Sequence, residues 1–252
     1  MRILLSNDDG ILAPGLAVLE KRARQLSDDV WIVAPETDQS GKGHSLTLHD
    51  PVRIRQIDDR RFAVGGTPTD CVIMAMRQIL PEKPDLVLSG VNRGANIADD
   101  VTYSGTVACA MEGTILGVKS IALSQSYAFD SGRTPDWSAA ETHGADIVRR
   151  ILAHGIPDGI LINVNFPACP AADVAGVEIT SQCTRVESLI GVEKRIDARQ
   201  MPYYWISYRR SWDNPAVKTD MWALSQKLIS ITPLLLDLTD RATAESLSKA
   251  FG

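Results

Sequence analysis

The stretch that decides the fold is Met1–Gly10, MRILLSNDDG, where three consecutive apolar residues run into small polar side chains, two carboxylates and a glycine. A short apolar run that ends in turn residues is typical of a strand buried on both faces. We therefore predict that the chain opens with a buried strand and that Asp8 and Asp9 stand at its carboxyl end.

Similar runs rich in Ile, Val and Leu recur along the chain, and segments with apolar residues at helical spacing lie between them. Such alternation produces parallel strands joined by right-handed crossover helices. The sequence thus predicts an α/β fold with a doubly wound, mainly parallel, Rossmann-like sheet. The predicted strands are Arg2–Ser6, Val30–Ala34, Asp85–Ser89, Ser120–Ser124 and Gly159–Val164, and the predicted helices are Pro14–Leu26, Thr67–Leu80, Ser104–Leu116 and Trp137–His154.

Two parts of the chain depart from this alternation. Leu46–Val64, punctuated by Pro51 and the Asp58-Asp59 turn, predicts an inserted β-hairpin. The C-terminal extension has strands with few local partners, which makes them candidates for pairing with another subunit. Its predicted elements are the strands Val177–Ser181, Tyr203–Tyr208 and Ile229–Leu238 and the short helix Arg241–Ala250.

Composition excludes several classes of protein. The 252 residues, 44% hydrophobic and 23% charged, suit one globular domain spanning residues 1–252. The net charge of −5 gives no general attraction to nucleic acid polymers or acidic membranes, and no apolar run approaches the ~20 residues that cross a bilayer. The cysteines form no C-x-x-C pair, so we expect reduced core thiols in a cytoplasmic protein. They are Cys71, Cys109, Cys169 and Cys183.

Oxygen-bearing side chains follow every strand of the predicted parallel sheet. In an open sheet of this kind, ligands bind beyond the carboxyl ends of the strands, so these side chains are expected to converge on one rim. In strand order they are Asp8 and Asp9, Ser40, Asn92 with Asn96, Ser124, and Asn163 with Asn165.

The adjacent carboxylates Asp8 and Asp9 point to a cation. Two such groups at a buried rim repel one another and lose hydration unless a positive charge joins them. A hard divalent ion such as Mg²⁺ or Mn²⁺, one per subunit, fits carboxylate, hydroxyl and amide oxygens, and Ser40 and Asn92 supply the neutral ones. The alternative is that one Asp caps a helix and the other is solvated; the convergence at the rim favours the metal.

The segment Ser104-Gly105-Thr106 opens a helix rich in small residues. Its unpaired N–H groups, with two hydroxyls and a glycine, form a cradle for a phosphate or oxyanion, and Asn96 lies in a nearby loop. The alternative is an ordinary N-cap at Ser104. A cation next to a phosphate cradle predicts hydrolysis of a phosphomonoester by water, with Asp8 or Asp9 orienting or deprotonating the water.

Other features are less specific. Gly41-Lys42-Gly43 lacks the Walker spacing of a P-loop. His44 either assists proton transfer or is a solvated loop residue, the reading we favour, and Arg93 either faces the substrate or decorates its loop. The cluster Tyr203-Tyr204-Trp205 favours strand packing or an interface over stacking on a base.

The combined motifs resemble the SurE family of bacterial survival proteins over nearly the whole chain. The resemblance implies a divalent-metal-dependent 5′-nucleotidase, with some members also acting on 3′-nucleotides or short polyphosphate. The matching segments are Met1–Gly10, Ala34-Pro35, Gln39–Gly41, Gly66–Cys71, Ser89–Asn96, Tyr103–Val107, Asn163–Pro167, Tyr203–Ile206, Thr219-Asp220 and Ser230–Pro233.

The resemblance also implies roles for individual residues. The family's metal ligands fall on Asp8, Asp9, Ser40 and Asn92, and its phosphate-binding segment falls on Ser104, Gly105 and Thr106, with Asn96 nearby. We accordingly take Asp8, Asp9 and Asn96 as the catalytic residues. Family members form homodimers or homotetramers through C-terminal elements, which here correspond to residues from about 168 to 252.

The sequence departs from the family pattern at one place and leaves several alternative functions open. Lys227-Leu228 stands where the family usually has Gly-Tyr, which affects a local turn and an assembly contact rather than the metal site. A metal-dependent glycosyltransferase and a non-catalytic nucleotide-binding protein are the rival readings. A phospho-aspartyl mechanism is disfavoured, because the position two beyond Asp8 is Gly10 rather than a second aspartate. Base preference, 5′ or 3′ phosphate and the preferred metal are not fixed by the sequence.

Overall fold

The computed structural model describes residues 1–128, 132, 134–185, 190–208 and 215–252. Within them the strands are β1 (Ile3–Ser6), β2 (Val30–Pro35), β3 (Ile54–Asp58), β4 (Arg61–Val64), β5 (Leu86–Arg93), β6 (Lys119–Gln125), β7 (Ile160–Phe166), β8 (Gly176–Ile179), β9 (Ile190–Ile196), β10 (Pro202–Tyr208) and β11 (Leu228–Leu235). The α-helices are α1 (Pro14–Ala23), α2 (Pro68–Met74), α3 (Gly105–Ile115), α4 (Ser138–His154), α5 (Asp220–Ser225) and α6 (Arg241–Phe251). None of the helices described is long and apolar enough to cross a membrane.

Nine strands form the central sheet in the order β3-β4-β2-β1-β5-β6-β7-β11-β8. β1 lies between β2 and β5 and is parallel to both, with Ile3 opposite Val30 on one side and Leu86 on the other. The parallel run continues through β6 and β7. The predicted doubly wound, mainly parallel α/β fold is confirmed.

Both faces of the sheet are covered, which explains why β1 begins with three consecutive apolar residues. Ile3 and Leu5 pack in a core with α1 and α4, whereas Leu4 packs on the opposite face in a core with α2. The four residues of β1 are all buried. Side chains on successive strand residues point to opposite faces, so a strand between two helical layers needs apolar residues at consecutive positions.

The helices begin where the sequence predicts, but two end earlier. Pro14 occupies the first turn of α1, where its missing N–H is no loss. Thr67 caps α2 in a capping box with Asp70, each side chain accepting from the other's backbone N–H. The predicted extension of α1 to Leu26 is a turn, and the predicted extension of α2 is a π-helix at Ala75–Ile79.

The inserted hairpin is shorter than predicted and joins the main sheet. Only β3 and β4 of the segment 46–64 are strands, and β4 pairs in parallel with β2. Residues 46–53 run without regular structure and contribute instead to a groove with the loop after β2.

The C-terminal strands, which were expected to have few local partners, have partners within the chain. β11 lies between β7, to which it is antiparallel, and β8, to which it is parallel. β10 pairs with β9, a strand that the sequence analysis missed because its alternation is obscured by the charged run Glu193-Lys194-Arg195. The helix α5 was missed as well, since six residues carry too little periodicity to be read.

Candidate active site

The topology creates a crevice at the carboxyl ends of β1 and β5. The chain leaves β1 towards β2 on one side and later returns to the other side of β1 as β5. At such a switch point the connections diverge in opposite directions, and ligands bind in the gap. Asp8 and Asp9 come just after the end of β1, and Asn92 is the penultimate residue of β5, so all three lie at this crevice.

Asp8 is a buried carboxylate without a cationic partner among the residues that the structure describes. Its side chain is 4% exposed, and its Oδ1 accepts a hydrogen bond from Thr106 Oγ1. Burial raises the pKa of Asp8 to about 6, and the nearby carboxylates of Asp9 and Asp38 add to the rise. A buried negative charge of this kind is stable only beside a positive one.

The approach of α3 to Asp8 requires a glycine. A Cβ on Gly105 would lie 2.6 Å from the Cβ of Asp8 and 2.9 Å from both Asp8 Oδ2 and Pro68 Cγ. Real Cβ contacts do not come so close, so any side chain at this position would displace Asp8 or the start of α3. Gly105 thus lets the N-terminus of the helix lie against the carboxylate.

Asp9 and Asp38 extend the acidic cluster around Asp8. Asp9 is half-buried, and its Oδ2 accepts a hydrogen bond of 3.0 Å from the backbone N–H of Arg93. Burial raises the pKa of Asp9, although the Arg93 N–H and guanidinium oppose the rise. Asp38 was not among the predicted site residues, and the only signal for it in the sequence is its position two residues before Ser40.

Ser40 and Asn92 are oriented by short local contacts. Asp38 Oδ1 accepts from the backbone N–H of Ser40 at 2.8 Å and from its hydroxyl at 2.6 Å. The Asn92 side chain donates from Nδ2 to the carbonyl of Gly94 at 2.8 Å, which directs its Oδ1 away from that contact. The backbone N–H of Gln39 donates to the Asp8 carbonyl at 2.8 Å, so the Ser40 loop is fixed to the end of β1.

Asn96 is held by polar residues from β6 and β7. Its Nδ2 donates to Ser124 Oγ at 2.8 Å, and its backbone N–H donates to Asn165 Oδ1 at 2.8 Å. The side-chain amides of Asn163 and Asn165 both donate to the Asn96 carbonyl, at 2.8 and 3.0 Å. Ser124, Asn163 and Asn165 are fully buried, so they lie behind the rim and position Asn96 rather than forming the rim itself.

A cavity of about 270 Å³ gathers most of the predicted site residues. Five of them share its wall: Asp8, Ser40, Asn92, Asn96 and Ser104. Asp9 faces a neighbouring cavity instead. Gly105 and Thr106 lie behind Asp8, and the fully buried Thr106 hydroxyl is committed to it. Ser104 is the N-cap of α3, its hydroxyl accepting from the N–H of Val107 at 3.0 Å.

The donor set fits a hard divalent cation. Among the described residues no three His, Cys, Asp or Glu side chains come together as metal ligands. The cavity wall instead offers the carboxylate of Asp8, the hydroxyl of Ser40 and the amide carbonyl of Asn92, and the carboxylate of Asp9 faces the neighbouring cavity. Oxygens of these kinds suit Mg²⁺ or Mn²⁺ with water completing the shell. A cation at this position would also neutralise the buried carboxylate of Asp8.

His44 lies apart from this cavity. Its Nε2 is 3.0 Å from Oε2 of Glu112, a nearly buried residue of α3. Together with the hydrogen bond from the Gly43 N–H to the Tyr103 carbonyl at 3.2 Å, this contact fixes the end of the Ser40 loop to α3 and to the segment just before it. The geometry favours a structural role for His44 over proton transfer.

Comparisons with known proteins agree with this architecture. A family model described as survival protein SurE matches residues 3–188. A protein of Methylobacterium radiotolerans named 5′-nucleotidase SurE is 57% identical over 252 residues, covering 100% of this chain and 99% of its own. One of Parvibaculum lavamentivorans with the same name is 55% identical over 253 residues and covers 100% and 91%. The crystal structure of the SurE protein from Aquifex aeolicus is 40% identical, covers 100% of both chains and superposes with a TM-score of 0.85.

Proposed function

Because the chain belongs to the survival protein SurE family, we propose that it is a divalent-metal-dependent nucleotidase that hydrolyses nucleoside 5′-monophosphates to nucleoside and phosphate. The observation that carries the proposal is the buried carboxylate of Asp8, which has no cationic partner in the described part of the chain and lies on the wall of a cavity with Ser40, Asn92 and Asn96. The names of the relatives from Methylobacterium radiotolerans and Parvibaculum lavamentivorans support the reaction.

The residues that would hold the cation are Asp8, Asp9, Ser40 and Asn92. The ion supplies positive charge that polarises phosphoryl oxygens and makes water more acidic. Thr106 holds the Asp8 carboxylate in one orientation, and Asp38 does the same for Ser40. Such fixed ligands keep the donor geometry before substrate arrives.

The phosphate would lie between Asn96 and the N-terminus of α3. Backbone N–H groups at a helix start point outwards and favour negative charge, and Gly105 lets this helix start lie close beside Asp8 at the cavity wall. Asn96 would contribute its side-chain amide, which donates to the buried Ser124 hydroxyl, while the buried side chains of Asn163 and Asn165 hold its backbone carbonyl. Donors fixed in this way stabilise charge that develops on the phosphoryl oxygens.

Two carboxylates are available for the attacking water. A water that attacks phosphorus needs a group that orients it and accepts its proton. Asp8 and Asp9 both lie at this edge of the sheet, so each is placed to orient the water or to accept its proton.

The test is phosphate release from a panel of 5′- and 3′-nucleoside monophosphates and short polyphosphate, with Mn²⁺, with Mg²⁺ and with EDTA. We expect release from the 5′-monophosphates that depends on the metal and is lost on chelation and in Asp8→Asn. The exposed residue Asp158 offers a matched control, since Asp158→Asn makes the same change far from the cavity.

Other results would overturn the proposal. Nucleotide binding without release in either metal would favour a non-catalytic nucleotide-binding protein. Sugar transfer without phosphate release from adenosine monophosphate would favour a glycosyltransferase. Full activity in EDTA, or in Asp8→Asn, would exclude the metal site.

We also propose that the protein is a homo-oligomer, a dimer or tetramer, that uses its C-terminal part. The β9–β10 ribbon carries apolar side chains with little cover in the single chain, among them Val192 at 62% and Ile206 at 79% exposed. Size-exclusion chromatography with light scattering tests this, and a monomer at micromolar concentration would exclude it.

The proposed location is the cytoplasm. The cysteines are buried and form no disulfide, and free thiols of this kind are typical of reducing compartments. Fractionation with an antibody against the native protein tests the location.

A further inference from the structure

A second cavity, of about 320 Å³, adjoins the one proposed to hold the phosphate. Arg93 lines both cavities, and Asp9, the neighbour of Asp8, lines the second. Asp38 also lines the second cavity. Its carboxylate accepts a hydrogen bond from the hydroxyl of Ser40, which lies on the wall of the first cavity. The two cavities therefore meet along one polar boundary.

The side of the second cavity away from this polar boundary is mainly apolar. It is formed by Ala13 and Pro14 at the start of α1 and by Trp137 at the start of α4. The indole packs against the helix start, since a Cβ on Gly15 would lie 2.9 Å from Trp137 Cη2. Trp137 is half-buried, so its ring is fixed on the core side and still contributes to the cavity wall.

We propose that this second cavity binds the nucleoside of the substrate, with the base against Trp137 and the sugar at the polar boundary. The inference rests on the proposed nucleotidase function. A fixed aromatic ring with apolar neighbours suits the flat face of a purine or pyrimidine. Carboxylates accept hydrogen bonds from hydroxyl groups, so Asp9 and Asp38 suit the sugar that links the base to the phosphate.

The size and placement of the cavity support this assignment over a purely solvent-filled gap. Ligand pockets combine an apolar wall with a few polar groups that fix orientation, and volumes of roughly 300–1,000 Å³ are usual for them. Here the polar groups stand on the side towards the phosphate, which is the order that a nucleoside monophosphate requires. The same arrangement predicts weak discrimination between bases, because every base has a flat face to stack.

The test compares adenosine 5′-monophosphate with ribose 5-phosphate, which keeps the phosphate and sugar but lacks the base. We expect the wild type to prefer the nucleotide in kcat/KM by roughly tenfold or more. Ala13→Leu places extra bulk on the apolar wall and should reduce that ratio towards 1, mainly through KM for the nucleotide. Ala17→Leu, the same change on the exposed face of α1, should keep the wild-type ratio.

Substitutions of Trp137 test the same subsite independently, in case Ala13→Leu does not fold. Trp137→Phe keeps an aromatic ring and should retain most of the preference, whereas Trp137→Leu should lose it. Adenosine should also inhibit the hydrolysis of ribose 5-phosphate competitively in the wild type, and less so in Ala13→Leu.

A failure of the nucleoside subsite can be distinguished from a failure of the proposed nucleotidase function. Equal kcat/KM for both substrates in the wild type, or an unchanged ratio in folded Ala13→Leu, would exclude the nucleoside subsite while leaving the phosphatase intact. If neither substrate releases phosphate, the proposed function fails. Calorimetric titration of adenosine monophosphate into the Mn²⁺-loaded wild type and Ala13→Leu then decides the subsite by itself: weaker binding to the variant supports it, and equal binding excludes it.

Discussion

The carboxylate of Asp220 accepts a hydrogen bond of 2.8 Å from the backbone N–H of Ala98, across 122 residues of chain. Its other oxygen accepts from the N–H of Cys183 at 3.0 Å and from that of Met221 at 2.8 Å. Ala98 has a φ of 51° and follows Asn96 by two residues. This left-handed conformation costs an alanine about 1–2 kcal/mol, so the C-terminal part of the chain stabilises the loop that carries Asn96.

Asp220→Asn should weaken this link. The single side-chain oxygen of asparagine can keep the contacts with Cys183 and Met221, but its NH₂ then faces the N–H of Ala98. We expect a loss of about 2 kcal/mol in the free energy of unfolding, because a buried donor loses its acceptor, and a lower kcat with normal metal binding. Urea unfolding and phosphate release measure the two effects.

The exposed cap of α6 provides the control for that substitution. Asp240 accepts from the N–H of Thr243 at 2.7 Å, and asparagine caps helices about as well as aspartate. Asp240→Asn should leave stability and kcat near the wild type. Equal free energies of unfolding and equal kcat values in the two variants would show that Asp220 does not hold the loop that carries Asn96.

Gly105→Ala should impair the site without unfolding the chain. The new methyl group would displace Asp8 or the start of α3, and a shift of about 1 Å in a positioned group can cost ~100-fold in rate. We expect a loss of kcat on this scale and weaker metal binding, measured by phosphate release across a Mn²⁺ titration. Gly144→Ala in α4 is the matched control, because its Cβ meets nothing closer than 3.8 Å. It should stabilise the protein by about 0.5–1 kcal/mol, and a similar loss of activity in both would contradict the prediction.

The stability of the metal-free protein should fall as pH rises from about 4 to about 6. The pKa of Asp8 rises from the ordinary value of 3.8 to about 6 on folding. The folded chain therefore holds this proton in a pH range where the unfolded chain has lost it. The contribution of Asp8 to the free energy of unfolding is fully present below about pH 4 and is lost above about pH 6. The difference is about 3 kcal/mol. Added Mn²⁺ binds the ionised form, so its stabilising effect should grow over the same range.

Thermal unfolding in EDTA and in Mn²⁺ between pH 4.5 and 7.5 checks this dependence. Other carboxylates also titrate there, and Asp8→Asn separates their contribution. In EDTA at pH 7.5 this variant should be more stable than the wild type, and Mn²⁺ should no longer raise its melting temperature. A variant less stable than the metal-free wild type would contradict the assignment.

His44→Gln should retain most of the activity. His44 contacts Glu112 and does not line the cavity, and glutamine can still donate to that carboxylate. Removing a general acid or base costs typically 100- to 10,000-fold, so a kcat within about tenfold of the wild type would exclude that role. Ser40→Ala, in the same loop, should instead weaken Mn²⁺ binding. A loss of 100-fold or more in His44→Gln, with normal stability, would assign His44 to proton transfer.

The parts of the fold that the sequence predicted depend on local pattern. Consecutive apolar residues in β1 and helical periodicity around Pro14 are visible without any knowledge of contacts. Asp8, Ser40 and Asn96 could be brought to one place by the rule that parallel strands end at a common edge.

The parts that escaped prediction depend on contacts between distant segments. Nothing near Asp220 or Ala98 shows that they meet, and nothing near Thr106 shows that its hydroxyl bonds Asp8 rather than a phosphate. Ser124 and Asn163 have the right residue types for a rim, but only the packing reveals that they stand behind it. The charged residues of β9 hide its pairing with β10, because the ribbon has no buried face to impose alternation.

The placement of β11 between β7 and β8 has a consequence for synthesis on the ribosome. Asp8, Ser40 and Asn96 leave the exit tunnel long before Leu228–Leu235, yet β7 keeps an open edge and β8 has no neighbour until that strand arrives. Domains generally fold as units as the chain emerges, and here the unit closes only near its last residues. A nascent chain that already carries its acidic cluster therefore exposes the edge of β7 until β11 emerges, and an unpaired edge of this kind can pair with another chain.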